Sequence, residues 1–273
     1  MKKTQIVGQS QVMSEIGKIL DIFVASNAKI RPHFILTGAS GSGKSYTIKS
    51  LCKMKNLEML EINAAQITKE GTSGNSLSKA LVPLENYTSK NVVVFVDEFD
   101  KLFISGNSNS SLANEITIGV QNEFLKILES KYTSVYGNYG KYHDIDISRV
   151  LFIFAGAFNN EEKITLDKLR KFGVKTEFLG RVGLVYNTNK LTLEDLYTIL
   201  ENSELLNTYL GIFTDVDRDS VVKSIKEYLK KNYENNTLGA RIINTLINQY
   251  FIKGGRLGIE DVEDITFQTK LDL

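Results

Sequence analysis

The sequence is short of several things, and each shortage narrows what the chain can be. Cys52 is the only cysteine among 273 residues. An intrachain disulfide is impossible, a zinc site of the CxxC type is excluded, and a reducing cytoplasm is the simplest expected home. Cys52 falls on the apolar side of a helical pattern, where packing is the expected role. There are two prolines, Pro32 and Pro83, so rigid linkers are few. The formal net charge is +1, which gives no general argument for nucleic acid or an anionic membrane as partner. No apolar run approaches the roughly 18 residues a membrane span requires. Met1-Lys2-Lys3 runs into mixed sequence without the apolar core of a signal peptide, so none is expected. Hydrophobic residues make up 42% and charged residues 24%, the balance of a globular chain with room for one large domain, or a large and a small one.

What is present centres on Gly38-Ala39-Ser40-Gly41-Ser42-Gly43-Lys44-Ser45. This is the phosphate-loop pattern. Its glycines let successive backbone N–H groups turn inward toward phosphate oxygens, and the helix that follows adds its positive end. Lys44 would reach the β and γ phosphates of a nucleotide, and the Ser45 hydroxyl would hold Mg²⁺. Phe34-Ile35-Leu36 before the loop reads as a strand. Ile48, Leu51 and Cys52 after it recur at helical spacing, so strand, loop and helix come in the required order.

Ahead of the loop, Val12, Ile16, Ile19, Leu20 and Phe23 mark an amphipathic helix. Beyond it, Leu57–Ile62 alternates as a strand, Ile67–Gly74 reads as a loop, and Leu77, Leu81 and Leu84 share one helical face. Val92-Val93-Val94-Phe95-Val96 is a continuous β-branched run, as in the centre of a parallel sheet covered on both faces. It ends in Asp97-Glu98. Carboxylates there are costly unless they face a cation or a reacting group, so Asp97 would hold Mg²⁺ and Glu98 would act as general base on the attacking water. The alternative is a strand that ends in a solvated acidic turn with Asp100.

Ser105–Ser111 is a Gly/Asn/Ser tract expected to be mobile. Val120, Phe124, Ile127 and Leu128 mark a helix, Tyr132–Asp146 reads as a loop or hairpin, and Val150–Phe154 is a further strand. Strands alternating with helices predict an α/β domain with a mainly parallel sheet. From Leu191 the pattern becomes a helical block of about 80 residues, with Tyr186–Lys190 as the expected hinge and Asp261–Phe267 as a short closing strand.

These pieces, in order, resemble the AAA+ ATPases, and within them the ClpX-like unfoldases of the Clp/HslU clade. Ile6-Val7-Gly8-Gln9 is similar to the family's N-terminal box over the adenine. Asp97-Glu98-Phe99-Asp100-Lys101 resembles the ClpX form of the second Walker motif. Gly119-Val120-Gln121 through Leu125–Glu129 is similar to the helix after the second pore loop, and Leu151–Phe158 to the fourth strand. Lys171-Phe172-Gly173 with Glu177-Phe178-Leu179-Gly180-Arg181 resembles the arginine-finger box, and Gly239-Ala240-Arg241 the sensor-2 motif.

The resemblance implies an α/β phosphate-loop AAA+ module in two parts, a large nucleotide-binding domain over 1–187 and a small helical domain over 188–273. It implies ATP and Mg²⁺, with Ile6, Val7, Gly38 to Ser45, Tyr46, Asp97 and Arg241 around the nucleotide, Ser45 and Asp97 on the metal, and Glu98, Arg181 and Arg241 in hydrolysis. Arg181 would act on a neighbouring subunit's nucleotide, so a closed ring, a hexamer, is implied, whereas Arg241 would act within its own chain.

The departures from the family matter as well. The residues given contain no match to its zinc-binding N-terminal module, so that module's substrate or adaptor selection is not expected. Between Ala157-Phe158 and Leu166 few residues remain where ClpX carries its peptidase-docking loop, so docking on a ClpP-type peptidase is not expected. Gly71-Thr72-Ser73-Gly74 lacks the aromatic of the first pore loop. Gly156-Ala157 replace the polar sensor at the end of the fourth strand, with Asn159 as the candidate substitute. The expected function is an ATP-hydrolysing ring that remodels an unidentified protein client without a docked peptidase. Alternatives are a nucleic-acid-directed AAA+ protein such as a helicase or clamp loader, for which only the clusters Lys168, Arg170, Lys171 and Lys230, Lys231 speak, or an ATP-gated assembly switch. No membrane partner is expected.

Overall fold

The computed structural model describes residues 6–69, 74–103, 111–137 and 140–258, with the backbone alone for 111–117. The tract 105–110, the centre of the first pore-loop stretch at Gly71-Thr72-Ser73, and the strand expected over Asp261–Phe267 lie outside the described residues.

In chain order the strands are β1 (Phe34–Thr37), β2 (Glu58–Asn63), β3 (Ile67–Thr68), β4 (Asn75–Ser76), β5 (Val92–Asp97), β6 (Tyr132–Tyr136), β7 (Tyr142–Asp146), β8 (Val150–Gly156) and β9 (Leu184–Asn187). The helices are α1 (Ser10–Ala25), α2 (Lys44–Met54), α3 (Leu77–Ala80), α4 (Ser111–Glu129), α5 (Leu166–Lys171), α6 (Thr176–Arg181), α7 (Leu193–Glu201), α8 (Glu204–Ile212), α9 (Arg218–Asn232) and α10 (Arg241–Ile252). The chain divides into two compact units. One comprises residues 1–39 and 43–188, the other 40–42 and 189–273.

The first unit is built on a five-stranded sheet in the order β2-β5-β8-β1-β9, with every pairing parallel. The unbroken apolar runs are explained by a sheet buried on both faces. In β5, Val92, Val94 and Val96 enter one core and Val93 and Phe95 the other. In β8, Phe152 and Phe154 divide from Leu151 and Ile153 in the same way. Side chains of α1 and α2 cover one face, including Ile16, Leu20, Phe23, Ile48 and Leu51. The other face is covered from α4 and α6, through Phe124 and Phe178. There Phe99 meets Phe124, Phe154 and Phe178 with ring centroids 6.1, 4.8 and 5.3 Å away. Truncating a buried ring of this kind costs about 3–5 kcal/mol.

Several expectations need correction. The helix over Leu77–Leu84 is one short turn, α3, followed by a 3₁₀ segment Val82–Tyr87. Pro83 at its start removes a donor and ends the α-helical ladder. Ile67–Gly74 is not all loop, because Ile67–Thr68 pairs with Asn75–Ser76. Tyr132–Asp146 is the hairpin of its two alternatives, β6 against β7. The two units divide between Thr188 and Asn189, inside the expected hinge Tyr186–Lys190, but Tyr186 and Asn187 are strand residues. They belong to β9, which pairs along all of β1.

The second unit has its own core, with Leu196 and Leu200 of α7, Leu206 of α8, Val221 and Ile225 of α9, and Ile243, Ile247 and Phe251 of α10. Three of its helices, α7, α8 and α9, start at side-chain caps: Thr192 with Asp195 as a capping box, Ser203, and Asp217.

Two buried polar groups on the sheet have consequences. Cys52 is buried, and burial pushes its thiol up to about 12, which fits a packing role. His33 precedes β1, and its Nδ1 accepts the Phe152 N–H at 3.0 Å, taking the place of a strand carbonyl. Burial first, and then the Arg31 charge, lower its pKa to about 4. A folded-state pKa below the unfolded 6.5 means that this contribution to stability is complete above pH 6.5 and is lost as pH falls through about 4. An NMR titration is therefore expected to show a neutral His33 ring with a midpoint near 4, and a midpoint near 6.5 would contradict the buried acceptor role.

Candidate functional site

The parallel register brings several strand ends to one edge of the sheet. Thr37 of β1 stands opposite Gly156 of β8 and Asn187 of β9, and Asp97 of β5 opposite Asn63 of β2. Ligands of parallel α/β sheets sit outside this carboxyl edge.

Gly38 leaves β1 at φ +143°, a conformation that excludes side chains, and a Cβ on it would lie 1.8 Å from Thr188 Oγ1. Gly43 is left-handed at φ 92° and starts α2. No side chain caps that helix and no acid sits in its first turn. The positive end of α2 therefore faces the loop with no acidic side chain in its own first turn to offset it. Lys44 Nζ donates to Gly38 O at 2.6 Å and Ala39 O at 3.1 Å, so the ammonium folds back over the start of the loop. Ser45 Oγ donates to Asp97 Oδ2 at 2.8 Å across 52 positions of chain. Tyr46 is exposed beside them.

Asp97 also accepts the Glu98 N–H on its other oxygen, at 2.9 Å. Glu98 itself is exposed and left-handed, at φ 54°. The following Phe99 is fully buried in the aromatic cluster, and this anchor imposes the turn that puts Glu98 outward. Asp100 is not part of a solvated acidic turn, because it is buried. Ser45 and Asp97 together offer a hydroxyl and a carboxylate, hard oxygen donors, at hydrogen-bonding distance. This suits Mg²⁺, which takes one or two protein ligands and completes its shell with water and phosphate oxygens. When bound, the ion would supply charge neutralisation at the phosphates.

The remaining predicted site residues are placed as follows. Ile6 and Val7 are half-buried and lie outside any helix or strand. Arg181, at the end of α6, donates through Nε and Nη2 to Glu129 Oε1 at 2.9 and 2.6 Å, with the two side chains 55% and 44% exposed. Within the second unit, Arg241 Nη1 donates to Ser40 Oγ at 3.0 Å and Ala240 N–H to Gly41 O at 3.0 Å.

Sequence reasoning missed Asn187. Its Oδ1 accepts from Thr37 Oγ1 at 2.9 Å and Ile164 N–H at 2.6 Å, and its Nδ2 donates to Ile164 O at 3.0 Å. It thereby ties the strand feeding the loop to the segment after β8. A single asparagine at a strand end carries no pattern that could have revealed this. Gln121, buried on α4, likewise bridges to Gly173 O and Lys175 N–H ahead of Arg181.

Residues 34–178 match the ATPase family associated with various cellular activities (AAA), and the chain belongs to that family. It is similar to the ATP-dependent Clp protease ATP-binding subunit ClpX of Bacteroides fragilis, at 24% identity over 262 residues, 80% of this chain and 63% of the relative. It is similar also to ClpX of Treponema denticola, at 25% over 274 residues, 81% and 65%. To ClpX 2 of Wolinella succinogenes the identity is 30% over 203 residues, 63% and 51%. The chain thus spans less than two thirds of the length of these relatives. No helix among the described residues is long and apolar enough to cross a membrane.

Gly38→Ala joins a forbidden backbone conformation to a clash with Thr188. Thermal unfolding is expected to show a loss of at least about 1–3 kcal/mol, and an unchanged melting temperature would contradict the geometry of the loop.

Proposed function

We propose that the chain binds and hydrolyses ATP with Mg²⁺ as one subunit of a hexameric ring, and uses the cycle to remodel a protein client without a docked peptidase.

 The observation that carries this reading is the 2.8 Å contact between Ser45 Oγ and Asp97 Oδ2, which joins the end of the glycine loop to the end of β5 at the carboxyl edge of the sheet. Two hard oxygen donors beside an uncapped helix start and a lysine suit a metal-bound triphosphate. In this reading the large nucleotide-binding domain is 1–187 and the small helical domain 188–273, close to the division of the chain into two compact units near 188. Family membership and the ATP-binding ClpX relatives support the same reading.

In it, Gly38 to Ser45 cradle the phosphates, Ile6, Val7 and Tyr46 border the base, and Ser45 and Asp97 hold the ion. Glu98, turned outward, takes the proton of the attacking water. Arg181 is the group lent to a neighbouring subunit. Its pair with Glu129 is exposed and of the kind worth about 0–1 kcal/mol, so it gives way readily to a phosphate. Arg241, bonded to Ser40, follows nucleotide state from within its own chain. Remodelling without a peptidase rests on the short stretch between Phe158 and Leu166. The nucleic-acid alternative draws little from the basic cluster on α5. Lys168 stands 2.7 Å from Glu161 and Arg170 2.5 Å from Asp167, so the cluster alternates in sign and is not a basic patch.

Glu98→Gln is expected to keep ATP binding and lose turnover by about a hundredfold or more, measured as phosphate release at saturating ATP; normal turnover would remove Glu98 as the base. Arg181→Ala is expected to melt within a few degrees of the unsubstituted chain yet lose turnover by about a thousandfold. Mixing it with Glu98→Gln subunits should restore part of the activity, because each supplies what the other lacks across an interface. Absence of rescue at every mixing ratio would contradict a shared site.

A further inference from the structure

Asp100 is a buried carboxylate that the proposed chemistry leaves unused. It is 2% exposed. Its Oδ2 accepts the Phe158 N–H at 3.2 Å, and Lys101 Nζ lies 3.9 Å from the same oxygen. Its other oxygen faces Gly156, where an added Cβ would fall 2.8 Å from Asp100 Oδ1 and 3.0 Å from Asp100 Cβ. Gly156 is the register partner of Thr37, the residue before the glycine loop. Burying a carboxylate costs several kcal/mol unless its partners offset it, so an apolar residue would be the simpler filling for a purely structural position.

The segment that Asp100 holds is strained. Phe158, Asn159 and Asn160 have φ of 45°, 59° and 58° in succession, and Lys163 follows at 51°. Left-handed backbone at non-glycine residues costs about 1 kcal/mol or more each and persists only where the surroundings impose it. Two braces impose it here. Asp100 takes the Phe158 N–H, while the Phe158 ring is buried and packs on Phe172 at 5.3 Å. Asn187 takes both backbone groups of Ile164 and also the Thr37 hydroxyl. Between the braces, Asn159 to Lys163 are exposed and polar. One brace comes from the segment that carries Asp97 and Glu98, and the other from the strand that pairs with β1.

We propose that Asp100 is a positioning residue for ATP turnover, which through the Phe158 N–H fixes the left-handed turn carrying Asn159 and couples it to the Asp97-Glu98 segment. This rests on the nucleotide reading above. A shift of Asp97 or Glu98 as the γ phosphate leaves is passed to the turn through one hydrogen bond, and a misplaced turn slows the chemical step without loosening the nucleotide.

The test measures turnover at saturating ATP and the affinity for a fluorescent ATP analogue with Mg²⁺ in the unsubstituted chain and in Asp100→Ala, Asp100→Asn and Gly156→Ala. Asp100→Ala is expected to lose turnover by about tenfold or more while its affinity stays within about threefold. Asp100→Asn keeps an acceptor oxygen and should return turnover to within about threefold of the unsubstituted chain. The Cβ added in Gly156→Ala would press on Asp100 Oδ1 and on Phe158 Cε2, 2.8 Å from each, so it disturbs both ends of the same brace and should reproduce the loss. Unchanged turnover in Asp100→Ala, equal loss in Asp100→Asn, or affinity that falls in step with turnover would each overturn the proposal. If Asp100→Ala does not fold by circular dichroism, the other two variants decide. Failure of the unsubstituted chain to bind the analogue would overturn the nucleotide reading, and this proposal with it, and is recognised because it needs no variant.

Discussion

The hydrogen bond from Ser45 Oγ to Asp97 Oδ2 joins two parts of the chain that have no local reason to meet. One is the first residue pair of α2 and the other the last residue of β5, and the parallel sheet is what brings them together. With β8 between β1 and β5, the carboxyl ends of three strands lie side by side, and the loop, the acidic pair and the turn after β8 leave from the same edge. The interior of the sheet is apolar on both faces, so the polar groups collect where the strands stop. The two cores stabilise the fold by burial, while the edge carries groups that burial alone would not favour: left-handed glycines, an outward glutamate and a helix start without a side-chain cap.

Strain at this edge is matched by anchoring just behind it. Glu98 is left-handed because Phe99 is committed to the aromatic cluster and Asp97 holds the Glu98 N–H. Phe158 to Asn160 are left-handed between the Asp100 and Asn187 braces. Rigid apolar layers hold the exposed polar residues in place, so their conformations do not depend on contacts of their own. The same division of labour holds in the second unit, where α7, α8 and α9 are capped by Thr192, Ser203 and Asp217 and the helices pack around Leu196, Ile225 and Phe251.

Much of this was legible in the sequence because the relevant signals are local. The β-branched run of β5 announces a strand buried on both faces, and the glycine spacing before Lys44 announces a tight turn between a strand and a helix. What escaped is what depends on partners distant in sequence. β9 has no unbroken apolar run, only a mixed Leu184–Asn187, and it is a strand because β1 offers it an edge. α8 went unread because only Leu206 of its face is fully buried, although Ser203 supplies a cap that could have marked its start. Asp100 reads as one more surface acid until the fold places it against Gly156 and Phe158. Pro83 is a local signal as well, and it shortens the helix expected through Leu84.

The central claim is that the loop ending in Lys44 and Ser45 cradles a metal-bound triphosphate at this edge. The most direct measurement is equilibrium binding of a fluorescent ATP analogue, with and without Mg²⁺, to the unsubstituted chain and to Lys44→Ala. The account predicts binding that Mg²⁺ strengthens and that Lys44→Ala abolishes or weakens by about a hundredfold. Equal affinity of the two proteins for the analogue would contradict it.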